Sequence, residues 1–329
     1  MSLYRGQPRK SSGLEYIMRI VFMGSDELAC PSLRMLMARA QDELAAVITQ
    51  PDRPKGRRRQ PAPCPLKALA GQYAPLRILT PEKMNEPALL EELRALRPDI
   101  FVVVAYGGYI PQAVLKIAPK GGINLHPSLL PKYRGAAPVQ QAIACGETVS
   151  GVTILYVAEE LDAGDIILQE AMPIEDEDTG VTLFARAAEQ GASLLGRALD
   201  LFERGEVSAV RQNPDQATYV TRLKKEDGRI VWEMPARQIR NRIRGFQPWP
   251  VCYFEWPKGS GLFVKVFKAA LEQGTGQPGE VIDIQGEGPV VAAGESALRL
   301  LEVQPGGRSV MSGKSFLCGH AMRPGVILG

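Results

Sequence analysis

Two kinds of apolar pattern alternate along the first two-thirds of this chain: continuous runs and helically spaced positions. MRIVFMG, Met18 to Gly24, is a largely apolar run closed by glycine, the signature of a buried parallel strand. Leu28, Leu33, Leu36 and Met37 then fall close to helical spacing, and ELAAVITQ gives a second strand. Helices are predicted around Pro65–Tyr73 and Asn85–Leu96. DIFVVVAYGGYIP follows, a strongly apolar strand running into Gly107 and Gly108. GGINLH is a short strand, Pro138–Ala144 a helix, and VTILYVA and IILQEAMPI two more strands. TLFARAAEQGASLLGRALDLFERG closes this part as a long amphipathic helix with a glycine near its end. The strand–helix–strand opening and the alternation after it predict an α/β doubly wound sheet.

The rhythm then changes. The polar run VRQNPDQATYVTRLKKEDG reads as a linker, assigned to residues 208–221. Beyond it, short strand-like runs (VCYFEW, LFVKVFKAA, GEVIDI, GPVVAA, ALRLLEV) alternate with glycine and proline turns, as in a small barrel or sandwich. A helix, MPARQIRNRIRGF, precedes them and carries Arg237, Arg240, Arg242 and Arg244. The division expected is therefore residues 18–207, a linker over 208–221, and 222–329. Residues 1–17 are polar and read as a tag, an early start or a disordered tail, with a short transit peptide as the other reading.

Composition narrows the class. A 45% apolar content over 329 residues is enough to bury two cores. Five cysteines (Cys30, Cys64, Cys145, Cys252, Cys318) are scattered and never spaced CxxC, which argues against a disulfide framework or a zinc site and for a reducing compartment. No stretch approaches the roughly 18 uninterrupted apolar residues of a membrane span. Net charge is +3. Its distribution says more: residues 1–211 carry 24 basic and 25 acidic side chains, leaving 15 and 11 for the rest. The C-terminal part is the basic one. Between Gln50 and Pro65, Arg53, Lys55, Arg57, Arg58 and Arg59 fall in a proline-framed insertion that should be an exposed loop. Such a run is either a solvated charged face or, being single-signed, a phosphate-seeking element.

The candidate chemistry lies in GGINLHPSLLPKYRGAAP, Gly121 to Pro138. Asn124 and His126 are two residues apart and share a strand face, at the carboxyl end where open α/β sheets place ligands. Asp162 follows in EELDAGD. A carboxylate beside an imidazole fixes its tautomer and raises its basicity, and a side-chain amide aimed at a developing oxyanion stabilises it. These are the needs of acyl transfer to an amine that attacks directly, with no serine or cysteine nucleophile and no metal. Ser128 lacks a GxSxG context. Taken alone, His126 reads equally as a structural histidine, and Asp162 as a turn former. The first turn, GSDELAC, lacks the GxGxxG fingerprint, which speaks against a dinucleotide-dependent dehydrogenase.

The run NLHPSLLPKYRGAAP, with LDAGDII after it, closely resembles the formyltransferases that use 10-formyltetrahydrofolate. The resemblance implies that Asn124, His126 and Asp162 are the catalytic trio. It also implies that Ser128, Leu129, Leu130 and Pro131 form the folate-contacting loop, and that VVVAYGGYIP lines the pterin pocket. FMGSDELACPSL, TQPDRPKGR, RGAAP and RNRIRGFQPWP with QPGGRSVMSGKSFL resemble the members of that family that act on initiator methionyl-tRNA. Two departures stand out: GSDELA replaces the family's threonine, proline and aspartate after the glycine, and Val231 stands where an acid is usual.

The resemblance implies a Rossmann-like N-terminal domain and a C-terminal barrel of OB-like topology, a cytoplasmic enzyme of translation initiation, and a monomer. Arg53, Lys55, Arg57, Arg58 and Arg59 would reach the acceptor end of the tRNA, and Lys224, Lys225, Arg240 and Arg244 would track its backbone. The alternatives are a formyl-folate enzyme acting on a small amine, such as a nucleotide-linked amino sugar, or an RNA-binding protein with a dead catalytic fold.

Overall fold

The computed structural model describes residues 17–55, 60–320 and 322–329. Residues 1–16, most of the expected tail, and Arg57, Arg58 and Arg59 lie outside the described residues, as does the side chain of Lys55.

The chain divides into two compact units. One comprises residues 1–134, 151–171 and 184–218; the other comprises 135–150, 172–183 and 219–329. Elements run in the order β1 (Met18–Gly24), α1 (Ala29–Ala38), β2 (Asp42–Ile48), β3 (Arg53–Lys55), β4 (Gln60–Ala62), α2 (Pro65–Ala70), β5 (Ile78–Leu79), α3 (Pro87–Leu96) and β6 (Ile100–Val104). Next come α4 (Gln112–Leu115), β7 (Gly122–His126), β8 (Arg134–Gly135), α5 (Pro138–Ala144), β9 (Val149–Tyr156), β10 (Ile166–Pro173) and α6 (Gly180–Arg204). The remainder holds β11 (Tyr219–Val220), α7 (Ala236–Gly245), β12 (Cys252–Glu255), β13 (Phe263–Glu272), β14 (Val281–Asp283), β15 (Val290–Ala292), β16 (Ala297–Pro305), β17 (Met311–Ser312) and α8 (Gly313–Gly319).

The first unit is built on a seven-stranded sheet in the order β10-β9-β7-β6-β1-β2-β5. Strands β5, β2, β1, β6 and β7 are parallel, and β9 runs antiparallel to β7. This is the doubly wound arrangement expected from the sequence, extended by an antiparallel pair. Both faces of β1 are covered, so Ile20, Val21, Phe22 and Met23 are all buried, which explains the unbroken apolar run. On one face Val21 and Met23 pack with Phe101 and Val103 of β6 and with Leu89, Leu93 and Leu96 of α3.

The chain order reverses between β1 and β6, and Ser25 ties the turns there. Its N–H donates to the Ala105 carbonyl at 3.2 Å, and its hydroxyl donates to the Tyr106 carbonyl at 3.0 Å and accepts from the Gln50 N–H at 3.1 Å. The GSDELA departure therefore has a local solution. Asp26 Oδ1 accepts from the Leu28 N–H at 3.3 Å, taking one of the donors left over as α1 begins. The described flanks of the basic insertion, expected as an exposed loop, are short strands: β3 and β4 pair antiparallel, Arg53 with Ala62 and Lys55 with Gln60, as a two-stranded sheet of their own.

The second unit holds an antiparallel sheet in the order β12-β13-β16-β15-β14, with β17 beside β16. Its two edges are joined by residues 325–329. The Gly329 carbonyl and N–H bond to Glu255 in β12 at 2.8 and 3.2 Å, and the Val281 N–H in β14 donates to the Val326 carbonyl at 2.8 Å. The barrel expected from the strand rhythm thus closes through this final segment. α7 is amphipathic: Ala236, Ile239 and Ile243 are buried with Phe254, Val266 and Leu300, and the arginines face away from that core. No helix among the described residues is long and apolar enough to cross a membrane. The five cysteines are free.

Candidate active site

β7 ends where the sheet's parallel part meets its antiparallel extension. Its pairing registers Asn124 against Val103 and Leu155, and His126 against Thr153, so both side chains leave the same face. Asp162 arrives from the turn after β9. Its carboxylate receives the Asn124 amide, Nδ2 to Oδ1 at 3.3 Å, and stands 3.4 Å from His126 Nδ1 through Oδ2. The three residues singled out in the sequence therefore meet at one carboxylate. The side chains of His126 and Asp162 are only 5% and 8% exposed, so a proton taken up by the imidazole is attracted to the carboxylate in a medium of reduced dielectric.

The imidazole is gripped from its other side too. Nε2 lies 2.9 Å from the Tyr133 carbonyl, an acceptor, so Nε2 carries a hydrogen and donates. Nδ1 faces the carboxylate. Both ring nitrogens thus look onto oxygens, and the Nε2–H bond to Tyr133 fixes the orientation of the ring. Asn124 is half-buried, and among the described residues its side chain bonds only to Asp162, leaving a second N–H and its carbonyl oxygen for a ligand.

The Asp162 turn is shaped by two unusual positions. Asp162 has a φ of +53°, a left-handed conformation that costs a non-glycine residue about 1–2 kcal/mol. Two hydrogen bonds from Gln212 Nε2, to the Asp162 carbonyl at 2.8 Å and the Gly164 carbonyl at 2.7 Å, are each worth about 1 kcal/mol net and offset that cost. At Gly164 any Cβ would sit 1.8 Å from the Tyr156 carbonyl oxygen, so the turn lies flush on the end of β9. Only glycine fits there.

The loop Ser128–Pro131 is fixed from within. Ser128 is buried, and its hydroxyl donates to the Lys132 carbonyl at 2.7 Å. Thr153, opposite His126, donates to the Ser128 carbonyl at 2.6 Å and accepts from the Leu130 N–H at 3.3 Å. Gln169 donates to the Leu130 carbonyl at 2.7 Å, and the Thr218 N–H donates to the Pro131 carbonyl at 3.2 Å. Leu130 is buried, while Leu129 and Pro131 are half-buried. The loop's own polar groups are spent on holding its shape. After β6, Gly107 has φ +76° and Gly108 lies against the Tyr106 ring, whose phenol burial pushes up to about 12.

Sequence reasoning did not single out Gln212, Thr153, Gln169 or Thr218, nor Arg134 by itself. Gln212 and Thr218 come from the run assigned as a linker. Arg134 opens β8 and reaches Gln212 Oε1 with Nε at 3.1 Å and Nη2 at 2.8 Å. Polar residues in a polar run carry no signal until the fold shows what they bond.

The basic residues fare differently. Arg53 is exposed and pairs with Glu82 at 3.3 Å. Lys224 and Lys225 are exposed, with the Lys225 ammonium 5.8 Å from the Phe263 ring centroid. Arg240 is committed to Asp176, with bonds of 2.8 and 2.9 Å, and to Glu177 at 3.1 Å. The hydrogen bond from Arg240 holds the Asp176 carboxyl below its ordinary range. Arg244 donates to the carbonyls of Glu175, Asp176 and Asp178, and burial pulls its guanidinium down from its ordinary value. These two arginines tie residues 175–178 to α7.

With that geometry in view, the comparisons are decisive. Residues 18–199 match the family described as Formyl transferase, and residues 222–321 match the C-terminal domain of the same family. A methionyl-tRNA formyltransferase from Moorella thermoacetica is 44% identical over 95% of this chain and 99% of its own length.

The chain is a member of the methionyl-tRNA formyltransferase family.

A second relative of that name, from Citrifermentans bemidjiense, is 43% identical over 95% of this chain and 96% of its own. Among solved structures, WlaRD, a sugar 3N-formyl transferase, matches with a TM-score of 0.64 at 18% identity, over 89% of this chain and all of that one. HypX from Aquifex aeolicus in complex with tetrahydrofolic acid matches at 0.59 and 20%, over 92% of this chain and 47% of that one. At these identities the structures establish the shared fold. Formyltransferases of this family draw on formyl-tetrahydrofolate. The donor set fits a formyl group carried on nitrogen: an amide N–H and an imidazole beside one carboxylate.

Proposed function

We propose that the chain transfers the formyl group of 10-formyltetrahydrofolate to the α-amino group of initiator methionyl-tRNA. The observation that carries this reading is the convergence of Asn124 and His126 on Asp162 at the carboxyl end of β7. The folate supplies an activated formyl group on N10. The amine nitrogen forms a bond to the formyl carbon, the bond from that carbon to N10 breaks, and one amine proton ends on N10. Asn124 Nδ2 donates to the formyl oxygen as negative charge builds there, a contribution of about 10²–10³ in rate. His126 takes up and returns the travelling proton while Asp162 holds the ring and stabilises its charged form.

Leu129 and Pro131, the half-buried members of the Ser128–Pro131 loop, border the folate, while Ser128 and Leu130 keep the loop in shape. Arg53, Lys55, Arg57, Arg58, Arg59, Lys224 and Lys225 contact tRNA phosphates and supply salt-dependent affinity. Arg240 and Arg244 join them only where residues 175–178 give way. On this reading residues 18–207 are catalytic and 222–329 the tRNA-binding part; 208–221, expected as a linker, joins them but lends Gln212 and Thr218 to the catalytic unit, and the enzyme acts as a cytoplasmic monomer.

The test is formyl transfer to charged initiator tRNA, charged elongator tRNA and an amino-sugar nucleotide, each at saturating folate. Rapid transfer to the initiator alone is the expected result. Preference for the amino sugar, or no transfer to any acceptor, overturns the proposal.

A further inference from the structure

Gln212 spends every hydrogen-bonding position of its amide. Nε2 has two N–H groups, and they face the carbonyls of Asp162 and Gly164. Oε1 accepts from Arg134 Nε and Nη2. Gln212 is 6% exposed and Arg134 3%, so water does not compete for these bonds. The orientation of the amide is not ambiguous. Turning it over would set Oε1 against two carbonyl oxygens and Nε2 against a guanidinium that never loses its charge.

The two residues reach the site from different directions. Arg134 ends the segment that begins at His126, and its neighbour Tyr133 supplies the carbonyl that His126 Nε2 bonds. Arg134 Nη1 also meets Glu160 at 3.1 Å. The turn is thereby held at Glu160, at Asp162 and at Gly164, and the middle point is the left-handed residue whose carboxylate serves the site. One dipeptide, Tyr133–Arg134, governs the imidazole through one residue and the carboxylate through the other.

We propose that Gln212 is a positioning residue: backed by Arg134, it fixes the turn that presents the Asp162 carboxylate to His126 and Asn124. A neutral amide is required. A carboxylate there would still accept from Arg134 but would repel the two carbonyls it must hold. Gln212 touches no reacting atom, and its effect passes through Asp162. The inference rests on the formyl-transfer reading for its kinetic consequence, but not for its structural one.

The test compares wild type with Gln212→Glu and Gln212→Ala. Turnover is expected to fall at least tenfold in both, with KM for folate and for tRNA within twofold of wild type. In an Asp162→Asn background, Gln212→Ala should add less than a twofold further loss. The chain has two histidines, so ring ¹⁵N spectra give a readout independent of turnover. Gln212→Glu should move the His126 resonances and leave those of His320 in place. Should a Gln212 variant fail to fold, Arg134→Lys, which keeps the charge and loses the two-pronged grip on Oε1, should give the same pattern. Unchanged turnover with unmoved His126 resonances overturns the proposal, as does a full additive loss in the Asp162→Asn background. A moved His126 resonance in a protein that transfers no formyl group would instead sink the functional reading and leave the positioning role standing.

Discussion

Three side chains do the chemistry proposed here, and each has a distinct expected loss. His126→Ala removes the group that moves the proton, worth about 10²–10⁴ in rate. Asn124→Ala removes one oxyanion donor, worth about 10²–10³. Both should leave tRNA affinity intact, so single-turnover rates and equilibrium binding must be measured on the same preparations. Asp162→Asn keeps the size of the side chain and the backbone bonds to Gln212, and should lower turnover by about 10² or more with little change in melting temperature. A merely turn-forming Asp162 would give the reverse: a stability loss and normal turnover. The pair Asn124 and His126 was legible in the sequence because a strand's period of two puts both on one face. The partnership with Asp162 was suggested by residue chemistry and singled out by the resemblance, since nothing local in LDAGD says which way its carboxylate points. Gln212 was not legible at all, because its partners lie 48 to 78 residues away along the chain.

The same contrast holds for whole elements. Strands β1 and β6 announce themselves because burial on both faces of a parallel sheet demands apolar runs. The hairpin of β3 and β4 does not, since its prolines and charges are the residues that ordinarily exclude a strand. α7 was legible as a helix, and the resemblance assigned its Arg240 and Arg244 to the tRNA backbone. Their acidic partners stand over 60 residues upstream, which no helical spacing can reveal. Turns obey harder rules. Gly164→Ala drives a Cβ into the Tyr156 carbonyl, backbone against backbone, so no rotamer change relieves it. It should lower the melting temperature by several degrees and depress turnover as far as Asp162→Asn does. Gly196, inside α6, is the matched control. There a Cβ would make an ordinary 3.5 Å contact with Met35, and alanine should stabilise the protein by up to about 1 kcal/mol through helix propensity. Calorimetry with a formyl-transfer assay on both variants separates the two outcomes.

At the scale of the molecule, charge and closure set the behaviour. Replacing Arg57, Arg58 and Arg59 by glutamine should raise the KM for tRNA and reduce the slope of log affinity against log salt by up to about 2–3, leaving the KM for folate unchanged. Titrating salt against both substrates checks this, and a selective effect on folate would contradict it. Arg240 is a poorer probe, because its loss frees Asp176 and Glu177 as well as removing a cation. The basic surface can be read from composition, but which cations are already engaged can be read only from the fold. The joining of β12 to β14 through residues 325–329 bears on how the protein is made. During synthesis β12 leaves the ribosome before residues 325–329, and until they follow, the Glu255 end of its outer edge lacks its partner while Tyr253 is already met by Ile230. During that interval the half-built sheet offers two open rims to other nascent chains. Cleavage that released residues 325–329 would bare the same two rims.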